Sequence, residues 1–172
     1  ELMDILKEIL LEVQLDNKDR FKQIVLEAKA REDQKLLSSG HQIANLRLKA
    51  NFNEADWVAE QMNGLSYLVF LRGLVESIEK DWESVLSDLR KVQEILINRN
   101  QMIVNVTVNN EGRQSVYSNI VNFINHIPET DIETTEWVLK KYSDYEGIII
   151  PSQVNYVAKG TDINAYGYQH NG

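Results

Sequence analysis

The feature that most constrains this chain is where its helix breakers are missing. Pro128 and Pro151 are its two prolines, and no glycine precedes Gly40. Proline removes a helix donor and clashes with the preceding turn, and glycine weakens helix interiors. A stretch without either is free to be helical wherever its apolar residues recur at helical spacing. The first 100 residues are therefore expected to be mainly helical.

The apolar pattern divides that stretch. Leu2, Ile5, Leu6, Ile9, Leu10 and Val13 mark a first amphipathic helix. Asp16 or Asn17 can cap a second, whose apolar positions include Phe21, Ile24, Val25 and Ala28. Residues 17–50 read as one long helix, bent or broken near Gly40. Residues 51–53 read as a turn and residues 54–62 as a short helix that Asn63-Gly64 stops, Gly64 for the backbone freedom a helix end asks for. A further helix is expected over 66–80. Asp81 can start the next, along which Trp82, Val85, Leu89, Val92 and Leu96 recur every three or four residues. That is too short a run for a coiled coil and fits a helix packed on its own domain.

At residue 101 the period changes. Met102, Val104, Val106 and Val108 alternate with Ile103, Asn105, Thr107 and Asn109, which predicts a strand with one largely apolar face. A turn at 109–112 leads to a helix carrying Val116, Ile120, Phe123 and Ile124, ended before Pro128. Residues 128–146 are polar, with a short helix expected over 133–142. Two strands are expected at 148–150 and 154–157, on either side of Pro151. The tail from Gly160 carries no convincing packed element. The expected fold class is thus α+β: long amphipathic helices over 1–100, then a strand-helix-strand portion of the same domain over 101–172, with a sheet that this chain does not complete.

The totals bound function more than fold. A chain of 172 residues makes one ordinary domain and buries roughly 70% of its unfolded surface, so it needs no metal or disulfide to hold a core. Cysteine is absent, which removes thiol chemistry. A net charge of −8 argues against a general nucleic-acid partner. No run of about 20 apolar residues is present to span a bilayer. The chain opens on Glu1-Leu2-Met3-Asp4, with no signal peptide and no initiator methionine, and its amphipathic pattern begins at once. A piece of something longer is the expectation.

No catalytic constellation emerges. A zinc site needs three or four converging ligands. The histidines are His41, His126 and His170, in three separate segments, none with a second histidine at helical spacing. Proline interrupts the interval from His126 to Glu129. Each histidine reads as a surface or capping residue. The carboxylate pairs Glu32-Asp33 and Glu129 to Asp131 sit on charged stretches and read as solvation. Gly64 and Gly73 are isolated and form no phosphate loop. Asn105-Val106-Thr107 fits a glycosylation acceptor pattern, but inside an expected strand. Trp57 and Trp82, each beside a helix-starting aspartate, read as core anchors.

Three stretches carry a resemblance. The first runs from Arg20-Phe21-Lys22-Gln23 through Lys29-Ala30-Arg31 to Ser39-Gly40-His41 and Ile43-Ala44. The second is Glu60-Gln61-Met62-Asn63-Gly64-Leu65-Ser66-Tyr67-Leu68, followed by Phe70-Leu71 and Asp81-Trp82-Glu83. The third is Pro151-Ser152-Gln153-Val154-Asn155-Tyr156-Val157, then Lys159-Gly160 and Gly167-Tyr168. In this order they resemble the presequence protease and falcilysin subfamily of the pitrilysin and insulinase zinc metallopeptidases, over nearly the whole chain.

The resemblance implies a place in a larger enzyme. Such proteins look like two halves that close around an unfolded peptide, with zinc held in the first domain by an inverted His-x-x-Glu-His helix. That motif does not occur here. The chain would be an internal segment at the start of the C-terminal half: a noncatalytic part of the chamber wall, partnered by the N-terminal half of the same polypeptide. Zinc would belong to the parent enzyme and not to this chain. The compartment implied is an organelle interior: mitochondrial matrix, plastid or digestive vacuole. Tyr67, Leu68, Phe70 and Leu71 read as core. Gln153 and Asn155, on the polar face of the last expected strand, are the candidate substrate-binding residues. The alternative from the residues alone is a freestanding helical protein-interaction module without enzymatic activity.

Overall fold

The computed structural model describes residues 1–131, 134–136 and 138–169. These divide into two compact units: one formed by Glu1–Lys18 with Asp81–Glu136, the other by Asp19–Lys80 with Trp137–Gly172.

The first unit contains α1 (Leu2–Leu11). The second is built on α2 (Lys18–Ser38), α3 (Gly40–Lys49), α4 (Glu54–Asn63) and α5 (Leu65–Lys80). The first unit then continues with α6 (Trp82–Leu96), a short 3-10 turn at Arg99–Gln101, and α7 (Arg113–Ile124). In this unit α1 packs against α7, and the Gln93 amide of α6 donates to the Leu10 carbonyl at 2.9 Å. Val85 and Leu86 are the buried residues of α6, and Asp81 caps it by accepting from the Ser84 N–H at 3.1 Å. Beyond α6, Asn98 is almost fully buried. Its amide donates to the Thr130 carbonyl at 3.0 Å and its oxygen accepts from the N–H groups of Asn100 and Thr130, which ties 98–100 to 128–130.

In the second unit the expected break of the long helix falls at Ser39, between α2 and α3. α2 and α5 run antiparallel, because Lys22 pairs with Glu79 at one end and Asp33 with Arg72 nearer the other. Leu36, Ile43 and Leu68 form the core, with Leu65 and Ile150 packed on it. α4 is capped by Asn53, whose oxygen accepts from the Asp56 N–H at 2.8 Å. Residues 138–169 are irregular apart from a 3-10 turn at Ile163–Tyr166.

The α+β expectation is overturned. Among the described residues there is no strand, and the ordered elements are helices. Residues 102–109, 148–150 and 154–157 form no ladder. Alternation of apolar residues is a local property, whereas a strand takes a second backbone to satisfy its N–H and C=O groups. No described segment pairs with these residues to do so. Their side chains keep some alternation, Ile103 being 95% exposed beside Val104 at 47%, but without a paired backbone this makes no sheet. The helix expected over 133–142 falls partly on residues 133 and 137, outside the described ones, and its described remainder is irregular.

Candidate functional site

Glu60 is the most unusual residue of the second unit: a carboxylate with no exposed surface. Burying an ionised group is costly unless it is paired and hydrogen-bonded. Here four groups surround it. Arg47 of α3 reaches Oε1 through Nη1 at 3.0 Å, and the Ser66 N–H donates to the same oxygen at 3.0 Å. The Tyr142 hydroxyl donates to Oε2 at 2.6 Å, and the Gln61 amide to the same oxygen at 3.3 Å. Burial by itself pushes the Glu60 carboxyl up. Tyr142, Ser66 and the Arg47 charge together outweigh it and hold the group below the ordinary carboxylate value.

The local fold makes this arrangement. α4 ends at Asn63, and α5 begins at Leu65. The intervening Gly64 turns the chain so that the Ser66 N–H, an unpaired donor of the first turn of α5, points back at Glu60. Gly64 has φ −103°, a conformation open to any residue, so the expectation that its backbone requires glycine is corrected. Space is the reason. A Cβ there would lie 2.7 Å from the Glu60 carbonyl and 2.8 Å from its Cγ.

Arg47 links Glu60 to the irregular segment. Its guanidinium lies over the Tyr142 ring, 3.4 Å from the centroid. Nη1 also reaches Ser66 Oγ at 3.0 Å, and the other edge makes a two-pronged pair with Glu146, both bonds 2.8 Å. Burial disfavours the charge of Arg47, but the two carboxylates overcome that and strengthen its hold on the proton. The bond from Arg47 holds the Glu146 carboxyl below its usual value. Burial and the bond to Glu60 push the Tyr142 hydroxyl up. Two more bonds fix the segment: the Tyr142 N–H donates to Asn51 Oδ1 at 2.9 Å, and Trp57 Nε1 donates to the Lys140 carbonyl at 3.2 Å. Chemically this is a clamp. Both oxygens of Glu60 are doubly engaged, so the carboxylate offers no free lone pair for proton abstraction.

Beside the clamp is a cleft of about 600 Å³. Ile43, Ala44, Arg47 and Leu48 of α3 form one wall; residues 146–150 and Asn155 to Ala158 form the other. Tyr156 crosses to α3, where its ring lies against Gly40 and its centroid is 5.9 Å from that of His41. The matched stretches thus lie in the second unit, apart from Asp81-Trp82-Glu83, which belongs to the first. Ser39-Gly40-His41 receives Tyr156, and the stretch from Glu60 to Ser66 receives Arg47.

Residues 1–74 match the family described as associated with the M16 peptidases of subfamily C. Presequence protease 1, chloroplastic/mitochondrial, of Arabidopsis thaliana is 38% identical over 173 residues, covering 100% of this chain and 16% of that protein. This chain is a relative of the presequence proteases. Presequence protease, mitochondrial, of Eremothecium gossypii is 24% identical over 176 residues, covering 96% of this chain and 18% of that protein. Protein HypA of Clostridium perfringens is 28% identical over 171 residues, with 99% and 17% covered. The chain spans about one-sixth of the length of the curated relatives it matches.

Of the candidate substrate-binding residues, Asn155 is exposed on the cleft wall, while Gln153 is exposed outside it. The segment bends at 153–154, so the strand alternation that put both on one polar face is absent. His41 is exposed, and His126 Nδ1 lies 2.7 Å from the Asn122 carbonyl at the end of α7. His170 lies outside the described residues. Among the described residues no three His, Asp or Glu side chains converge as a metal site would need, and no helix is long and apolar enough to cross a membrane. Leu68 and Leu71 are core as expected, but Phe70 is 58% exposed. Sequence reasoning missed Arg47, Tyr142 and Glu146 entirely. It singled out Glu60 and Ser66 as members of a matched stretch without a role. The available signal was the run from Glu60 to Ser66, where a carboxylate precedes a helix break followed by a serine.

Proposed function

We propose that this chain is a noncatalytic wall segment of a zinc metalloendopeptidase that degrades unfolded peptides such as targeting presequences. The observation that carries the reading is the 38% identity to a plant presequence protease along the whole chain. The sequence contains no His-x-x-Glu-His helix, so the zinc and the general base would be supplied elsewhere in the polypeptide, by its N-terminal half. Gln153 and Asn155 are the proposed peptide contacts, Asn155 from the cleft and Gln153 from the bend beside it. The proposed compartment is an organelle interior, in keeping with the chloroplastic and mitochondrial labels of the two named presequence proteases.

The test is hydrolysis of an unstructured fluorogenic peptide by the full-length polypeptide and by this chain alone. Chelator-sensitive cleavage by the full-length polypeptide, with none by the chain, is the expected result. A full-length polypeptide that cleaves no peptide, or chelator-sensitive cleavage by the chain alone, overturns the reading.

A further inference from the structure

The two edges of Arg47 differ in how they are held. The inner edge is held by Glu60, which has no exposed surface, and by Ser66 and the face of Tyr142, both partly buried. None of these contacts involves Glu146. The outer edge, Nε and Nη2, lies on the cleft and, among the described residues, is bonded by Glu146. Glu146 is a third exposed and comes from an irregular stretch between the anchored residues Tyr142 and Ile150. Its neighbour Tyr145 is 93% exposed, and a Cβ added to Gly147 would meet nothing within 4 Å. A rigid, pre-oriented guanidinium edge is the arrangement that recognises a carboxylate through two parallel bonds, and here a side chain of the protein itself sits in it.

We propose that the outer edge of Arg47 is a receptor for a peptide C-terminal carboxylate whose last residue is apolar, and that Glu146 occupies that receptor when no ligand is bound. The cleft supplies the rest of the site. Ile43, Ala44 and Leu48 form an apolar wall beside the guanidinium, and Asn155 lines the opposite wall. A volume of about 600 Å³ is within the range of sites for small ligands. The α-carboxylate would take the place of the Glu146 carboxylate, charge for charge, and Glu146 would move into water. Because Glu146 is tethered beside the site it competes at high effective concentration, so the unaltered protein binds such ligands weakly.

The choice of a peptide as the ligand rests on the proposed function; the carboxylate and the apolar neighbour do not. The experiment therefore reads binding and not hydrolysis. The full-length polypeptide is titrated calorimetrically near neutral pH with an acetylated tripeptide ending in leucine, as the free acid and as the amide. Glu146→Ala is expected to bind the acid about tenfold more tightly than the unaltered protein does, with the amide unchanged. Adding Arg47→Lys to Glu146→Ala keeps the charge, removes the fork and is expected to abolish the preference for the acid. Equal or undetectable binding of acid and amide by the Glu146→Ala protein overturns the inference, as does an acid preference that survives Arg47→Lys. A protein that prefers the acid but hydrolyses no peptide refutes the proposed function alone. One that hydrolyses peptides without that preference refutes this inference alone.

Discussion

The ring of Tyr156 lies so close to Gly40 that a Cβ on that glycine would sit 2.5 Å from Cδ2 and 2.6 Å from Cε2 of the ring. Gly40 opens α3 and is buried there, so a methyl group on it would have to displace the ring. Gly40→Ala is expected to destabilise the protein by about 1–3 kcal/mol, the usual cost of overpacking. The check is a double-mutant cycle in urea. With Tyr156→Ala the clash disappears, so the Gly40→Ala penalty should shrink to roughly a few tenths of a kcal/mol, and strict additivity would contradict the contact.

The two carboxylates on Arg47 should differ sharply. Glu60 is fully buried, and Glu60→Ala leaves the inner edge of a largely buried guanidinium without its anion and the Tyr142 hydroxyl without its carboxylate acceptor. About 3 kcal/mol of lost stability is expected, near the lower end for breaking a buried pair because Glu146 still neutralises part of the charge. Glu146 is a third exposed, and Glu146→Ala should cost less than about 1 kcal/mol. Denaturant midpoints at neutral pH compare the two directly.

Acid should loosen the same clamp. Glu60 and Glu146 are both held below the ordinary carboxylate value in the folded protein. The folded state therefore binds fewer protons than the unfolded chain in that range. The stability these groups contribute is complete above the unfolded value of about 4.3 and declines as pH falls through their depressed values. Tyr142 is shifted upward, so its contribution is complete below about 10 and declines as pH rises through its raised value. Stability against pH should fall on both flanks, and Glu60→Gln should flatten the acid one.

The helices of this chain were legible because helical order is local. The break at Ser39, the cap at Asp81 and the stop after Asn63 follow from residues within a few positions of each. The strands were misread for the complementary reason. Val104, Val106 and Val108 state a preference that only a second backbone can fulfil, and sequence neighbours cannot supply one. The clamp was illegible for a related cause. Arg47 meets Glu146 across 99 positions, and Glu60 meets Tyr142 across 82. Tyr142 and Glu146 lie in a stretch whose composition resembles any polar loop. Even the glycines show the limit: Gly40 and Gly64 were noticed as breakers, but both are glycine because another residue occupies the space a side chain would take.

Asn98 offers a test in the other unit. It is 2% exposed, and its amide bonds to the backbone of residues 100 and 130 as both donor and acceptor. The Arg99 N–H donates to the Pro128 carbonyl at 2.8 Å, and the Arg99 side chain pairs with Glu129. Two short backbone segments are thus joined by one amide that acts as donor and acceptor at once, which an aspartate cannot do when ionised. Asn98→Ala leaves two N–H groups and a carbonyl without that partner and is expected to cost about 1–3 kcal/mol. Asn98→Asp keeps the acceptor and loses the donor, so its stability should fall between those of the unaltered protein and Asn98→Ala. Hydrogen exchange of the Thr130 amide is the local readout. Its protection should drop in Asn98→Ala and largely persist in Asn98→Asp, and equal loss in both would show that the donor bond to the Thr130 carbonyl, and not the acceptor bond, holds the segments together.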